Sequence, residues 1–79
     1  MTKYYQLQNP EMYNCVVGWL EVIDDKASRL IDVRADEIII YSNLTWSDKT
    51  LAMMLNYPYN KESDITEDKF NTLWLLYKK

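Results

Sequence analysis

The sequence has no histidine. That removes the commonest general base and the commonest transition-metal ligand. It has one cysteine, Cys15, so no internal disulfide can form and no cysteine-rich zinc site can be assembled. Its one glycine, Gly18, cannot supply the glycine-rich loops that cradle phosphates. No apolar run approaches the ~20 residues that span a bilayer. Basic residues form no stripe, and only Lys78 and Lys79 are adjacent. With nine basic residues against twelve acidic ones and a net charge of −3, direct nucleic-acid binding is disfavoured. The opening residues Met1 to Gln6 lack a signal-like apolar core, and the lone cysteine suits a reducing compartment. A cytoplasmic location, with no membrane contact, is the expectation.

Large aromatic side chains are abundant: three Trp, seven Tyr and one Phe in 79 residues. A chain this short buries only about 60–65% of its unfolded surface, so its core is thin. Each enclosed aromatic adds roughly 150–250 Å² of buried area. One glycine, two prolines and an apolar share of 48% point to a folded single domain over 1–79.

The stretch from Arg29 to Ser42 organises the chain. Arg29 to Arg34 and Glu37 to Ser42 are rich in β-branched residues, which keep more rotamer freedom on a pleated surface than in a helix. They read as the central strands of an antiparallel sheet, joined by a turn at Ala35-Asp36. Lys3 to Gln8 reads as an edge strand with Lys3 as its guard. Asn9-Pro10 then breaks the strand or caps a single helical turn. Tyr13 to Ile23 fits a strand by its Val and Ile content, although Met12, Val16 and Trp19 also fit a helical spacing. The polar turn Asp24 to Ser28 favours the strand. Gly18 then marks a bulge or a place where another side chain crosses the backbone. On this strand Tyr13, Cys15, Val17 and Trp19 face one way and Val16, Leu20 and Val22 the other.

Two helices follow with the same starting grammar. Ser47 and Thr66 are N-caps, and Asp48, Glu67 and Asp68 place negative charge in the first turns. Trp46 with Leu51, and Ile65 with Phe70, have the spacing of hydrophobic staples. The first helix buries Leu51, Met54 and Leu55 and ends at Asn56-Tyr57-Pro58. The second buries Phe70, Leu73, Trp74 and Tyr77, one continuous face, with Lys78 and Lys79 closing its last turn. Tyr57 to Asp64 reads as a long polar loop. The expected fold is α+β: a meander of three to four antiparallel strands, then two short helices packed on one face.

The chemistry that remains is carboxylate and aromatic. Asp24-Asp25 and Asp36-Glu37 sit in turns; Glu62, Asp64, Glu67 and Asp68 gather before the last helix. Turn formation and helix-terminal charge account for all of them, and no calcium-loop spacing is present. Cys15 lies in an apolar run with no neighbouring cation, the setting of a buried, unreactive thiol. No catalytic residue, metal ligand or cofactor is expected. Tyr4, Tyr5, Tyr57 and Tyr59 lie outside the expected core, and exposed Tyr is a favoured interface residue. The alternative is that they fold back to roof a thin core.

These features point to a small acidic, non-enzymatic protein-binding module, an inhibitor or adaptor acting by occupancy. Its partner would be a protein, with a basic nucleic-acid-binding enzyme the best electrostatic match. The partner-binding residues would be Tyr4, Tyr5, Asp36, Glu37, Tyr57, Tyr59, Glu62 and Asp64. In overall style the chain is similar to small phage-encoded inhibitors of host enzymes and defence systems, anti-CRISPR proteins among them, and to toxin-immunity proteins; no motif carries that likeness. The rival readings are a homo-oligomeric or structural assembly protein and an enzyme working through paired carboxylates.

Overall fold

A computed structural model describes residues 1–8, 15–34, 37–58 and 60–78, with the side chains of Cys15 and Val16 outside that set. Five strands and two helices follow one another: β1 (Thr2–Leu7), β2 (Cys15–Ile23), β3 (Lys26–Arg34), β4 (Ile38–Tyr41), α1 (Asp48–Leu55), β5 (Lys61–Ser63) and α2 (Glu67–Tyr77). The fold is α+β. The strands form one antiparallel sheet in the order β4-β3-β2-β1-β5.

The expected meander is present as β1 to β4, but the sheet has a fifth strand. Within the stretch read as a polar loop, Lys61, Glu62 and Ser63 pair with Gln6, Tyr5 and Tyr4. Three residues without apolar alternation carry no strand signal of their own; the exposed edge of β1 supplies the hydrogen-bonding template. Consequently β1 is an interior strand, not an edge. β4 is an edge strand, and the centre of the sheet is β2 rather than the Arg29–Ser42 pair.

Cys15 to Ile23 is a strand, as the polar turn after it suggested. That turn is shorter than expected: Asp24 and Asp25 alone make it, at φ 49° and 65°, and β3 already begins at Lys26. Two left-handed residues give the twist that a two-residue hairpin requires. Gly18 pairs in register with Leu7 and Asp32, so it is not itself a bulge, and the Leu30 side chain of β3 lies 3.5 Å from where its Cβ would stand. The register shifts of β2 lie on either side of it, between Cys15 and Val17 and between Glu21 and Val22. Tyr13, Asp36 and the Asn9-Pro10 break lie outside the described residues.

Both N-caps have the expected geometry. Ser47 Oγ accepts from the Thr50 N–H at 3.1 Å, and Thr66 Oγ1 from the Lys69 N–H at 3.1 Å. The packing of the helices differs from the one-face expectation. Leu51 of α1 joins Leu7, Leu20, Val22 and Ala27, with Trp46, Met54 and Leu55 packed around them. Phe70 and Trp74 of α2 join Tyr4 and Ile31, with Trp19, Ile65, Leu73 and Tyr77 around them. Leu20 and Val22 alternate with Trp19 along β2, so the two clusters lie on opposite faces of the sheet. Both strand faces of β2 are apolar, and each takes its own helix. α2 ends at Tyr77; Lys78 is its C-cap, donating its N–H to Trp74 O at 2.9 Å, and Lys79 lies outside the described residues.

Candidate functional site

Beneath α2, the sheet face carries one buried charge among the described residues. Glu21 on β2 is only 2% exposed, amid aromatic rings. An isolated carboxylate there would be strongly disfavoured, and the two strands on either side supply its partners. Arg29, opposite Glu21 on β3, reaches both oxygens: Nε donates to Oε1 and Nη2 to Oε2, each at 2.7 Å. The Tyr4 hydroxyl of β1 donates to Oε2 at 2.9 Å. Arg29 Nη2 also donates to Asn71 Oδ1 of α2 at 2.7 Å. The guanidinium stands over Phe70 and Trp74, 4.8 and 4.9 Å from their ring centres.

Burial pushes the Glu21 carboxyl up, but the hydrogen bonds from Arg29 and Tyr4 and the Arg29 charge outweigh it, and the pKa falls below the ordinary value. Burial, and then the bond to Glu21, push the Tyr4 phenol up to about 12. The Glu21 bond also raises Arg29. Every partner in this network is internal, and no buried side-chain nitrogen or oxygen among the described residues lacks a partner. A closed network of this kind ties α2 to three strands; it offers no free acid, base or nucleophile to a substrate. Sequence reasoning missed it. The available signal was a Glu on the same strand face as Trp19, with an Arg facing it across a short hairpin.

Of the expected partner-binding residues, Tyr5 faces Glu62 across the β1–β5 pair, with Tyr4 and Asp64 beside them, and Glu37 lies apart. Tyr4 is 6% exposed and part of the core, and Tyr5 is half-buried against the other cluster. Both take the core-roofing alternative. Tyr57, Glu62 and Asp64 are exposed around β5; Lys3 sits 3.7 Å from Glu62. Glu37 is exposed beside β4, at the far edge of the sheet. Four strand spacings of about 4.8 Å place those two edges roughly 19 Å apart. Asp36 and Tyr59 lie outside the described residues, as does the Cys15 thiol.

A different surface is more apolar. Leu75 and Leu76, on the last turns of α2, are 70% and 69% exposed. α2 contacts β4, where Ile38 is also exposed on the same face. On the opposite face a depression of about 240 Å³ is lined by Leu30, Asp32, Tyr41, Leu44 and Trp46. Another of about 310 Å³ beside α1 is lined by Leu51, Ala52 and Leu55 together with Asp25, Lys26 and Asp48, of which Lys26 pairs with Asp48. No group of three or more His, Cys, Asp or Glu among the described residues is placed to hold a metal ion. No helix among them is long and apolar enough to cross a membrane. Neither family models, curated proteins nor solved structures give a match to this chain.

Proposed function

We propose that this protein is a non-enzymatic protein-binding module, an inhibitor or adaptor that acts by occupying a surface of its partner. The observation that carries this reading is the pair Leu75 and Leu76. Two adjacent leucines about 70% exposed on a helix of so small a domain leave apolar area in water that a partner would cover. The two depressions on the α1 face are lined largely by side chains of the core beneath them, among them Leu51, Leu44 and Trp46.

The acidic balance favours a basic partner, such as a nucleic-acid-binding enzyme. Glu37, Glu62 and Asp64 are exposed on both flanks of the sheet. Charges placed so steer association and raise its rate more than they tighten the final complex. Tyr57, exposed after α1, would add a rigid contact on the β5 flank.

The test is affinity capture from a lysate of the encoding organism, with Leu75→Glu and Leu76→Glu combined as the control. A protein enriched on the wild type and lost from the double variant, at equal thermal stability, is the expected result. Enrichment that is unchanged by the double variant, or no enriched protein at all, refutes the reading.

A further inference from the structure

The two edges of the sheet are built differently. β5 is three residues long, and two of them, Lys61 and Glu62, are charged. Short length and charge guard an edge against pairing with other chains. β4 reads Ile-Ile-Ile-Tyr. It has no charge, no proline and no register shift against β3, so its four-residue length is the one such guard left.

The hydrogen-bond phase shows which groups of β4 are open. The Arg34 N–H donates to Glu37 O at 2.8 Å, and the Leu44 N–H donates to Ser28 O at 3.1 Å. Even-numbered residues of β3 therefore direct their main-chain groups towards β4. Directly opposite pairs alternate between bonded and non-bonded in an antiparallel ladder. In the observed register Asp32 faces Ile39 and Leu30 faces Tyr41; these pairs share the bonded phase. Ile38 and Ile40 then turn their N–H and C=O groups away from β3, to a side where no described strand follows.

We propose that this edge is the interface between two copies of the chain, whose five-stranded sheets join about a two-fold axis at Ile39. Two β4 strands laid antiparallel about that point match themselves. Ile38 of each copy faces Ile40 of the second, giving two bonded pairs and satisfying all four open main-chain groups of each strand. Ile39 faces its own counterpart. Glu37 faces Tyr41 of the second copy, so a carboxylate meets a phenol hydroxyl and never another carboxylate; both residues are exposed in the single chain. Centring the pair on Ile40 instead would place Glu37 against Asn43, which stands at φ 54° outside the strand. Self-complementarity of this kind is what an isologous interface requires. The proposal is independent of the partner-binding role given to Leu75 and Leu76.

Sedimentation of the wild-type protein from about 5 to about 500 µM tests it, the range expected for a short interface. The expected result is a reversible doubling of mass. Ile38→Pro removes one outward N–H and no bond to β3, a change that edge strands tolerate. It should weaken association at least ~10-fold while leaving the melting temperature of the dilute protein nearly unchanged. Should that variant fail to fold, Ile39→Cys serves. Facing non-bonded residues lie about 4.5 Å apart at Cα, within disulfide reach. Mild oxidation should then give a covalent dimer whose bond maps to that position. A wild type that stays monomeric throughout overturns the proposal. So does a dimer that folded Ile38→Pro leaves intact, or one that does not cross-link through Ile39→Cys.

Discussion

Arg29 closes on Glu21 through two N–H···O contacts of 2.7 Å, one to each carboxylate oxygen. The carboxylate side chain is 3% exposed, so removing the guanidinium strands a buried charge. Arg29→Ala should cost about 3–5 kcal/mol, the range for breaking a buried pair from one side. It also uncovers the Phe70 and Trp74 rings. Glu21→Met combined with Arg29→Met removes both charges at similar volume and should recover most of that loss. Urea unfolding of the single and double variants measures both. A double variant no more stable than Arg29→Ala would refute the pairing.

The same network sets two pH limits. The Glu21 pKa is lowered in the folded state, so its stabilisation is present above the ordinary carboxylate value and is lost as the pH falls from there through the lower folded-state value. The Tyr4 pKa is raised from 10.0 to about 12. Its stabilisation is full below pH 10.0 and is lost as the pH rises towards about 12, because only the unfolded phenol ionises readily in that window. Tyr4→Phe should therefore flatten the alkaline decline in melting temperature and keep the acid decline. A variant with both limbs unchanged would place the Tyr4 proton elsewhere.

Gly18 is the one glycine of the chain, yet nothing at its position demands glycine. Its φ is not positive, and an added Cβ would meet Leu30 Cδ1 and Leu7 Cβ at 3.5 Å and Ile31 O at 3.6 Å, ordinary contact distances. Glycine inside a strand costs backbone entropy on folding. Gly18→Ala should raise stability by roughly 0.4–1 kcal/mol. Destabilisation in thermal unfolding would show that β2 lies closer to its neighbours than these distances.

The sequence made the local structure legible where capping and periodicity act within one turn. Ser47, Thr66 and the stripe from Phe70 to Tyr77 could be read directly, because each needs only its near neighbours. What could not be read depended on partners distant along the chain. β5 exists because Tyr4, Tyr5 and Gln6 offer an edge to Lys61–Ser63. Its charged residues resemble a loop until that edge is known. The split of the helices over two faces follows from β2 being apolar on both sides, a feature the residue pattern contained; assigning each helix to its face required the sheet order. The burial of the Glu21–Arg29 pair could not be read, because what covers it lies far along the chain: Asn71, which accepts from Arg29, is 42 residues away from it. The burial of Tyr4 was hidden for the same reason: its ring packs on Phe70 of α2, 4.8 Å between centres, at the other end of the chain.

Adjacent residues of α2 should respond in opposite ways to truncation. Trp74 is 9% exposed, stacks on Phe70 at 6.3 Å between ring centres and lies under the Arg29 guanidinium. Trp74→Ala removes the ring from the α2 core and one of the two platforms for Arg29, so it should cost about 3–5 kcal/mol. That is a large part of the ~5–10 kcal/mol available to a domain of this size. Leu75, one residue on, points away from the sheet, and Leu75→Ala should change stability by less than about 0.5 kcal/mol. Thr66→Ala falls between them at about 1 kcal/mol, since it removes only the oxygen that accepts the Lys69 N–H. Chemical denaturation of the three variants gives this order directly. Equal losses for Trp74→Ala and Leu75→Ala would mean that the helix is rotated about its axis, and the exposed leucines would then belong to the core.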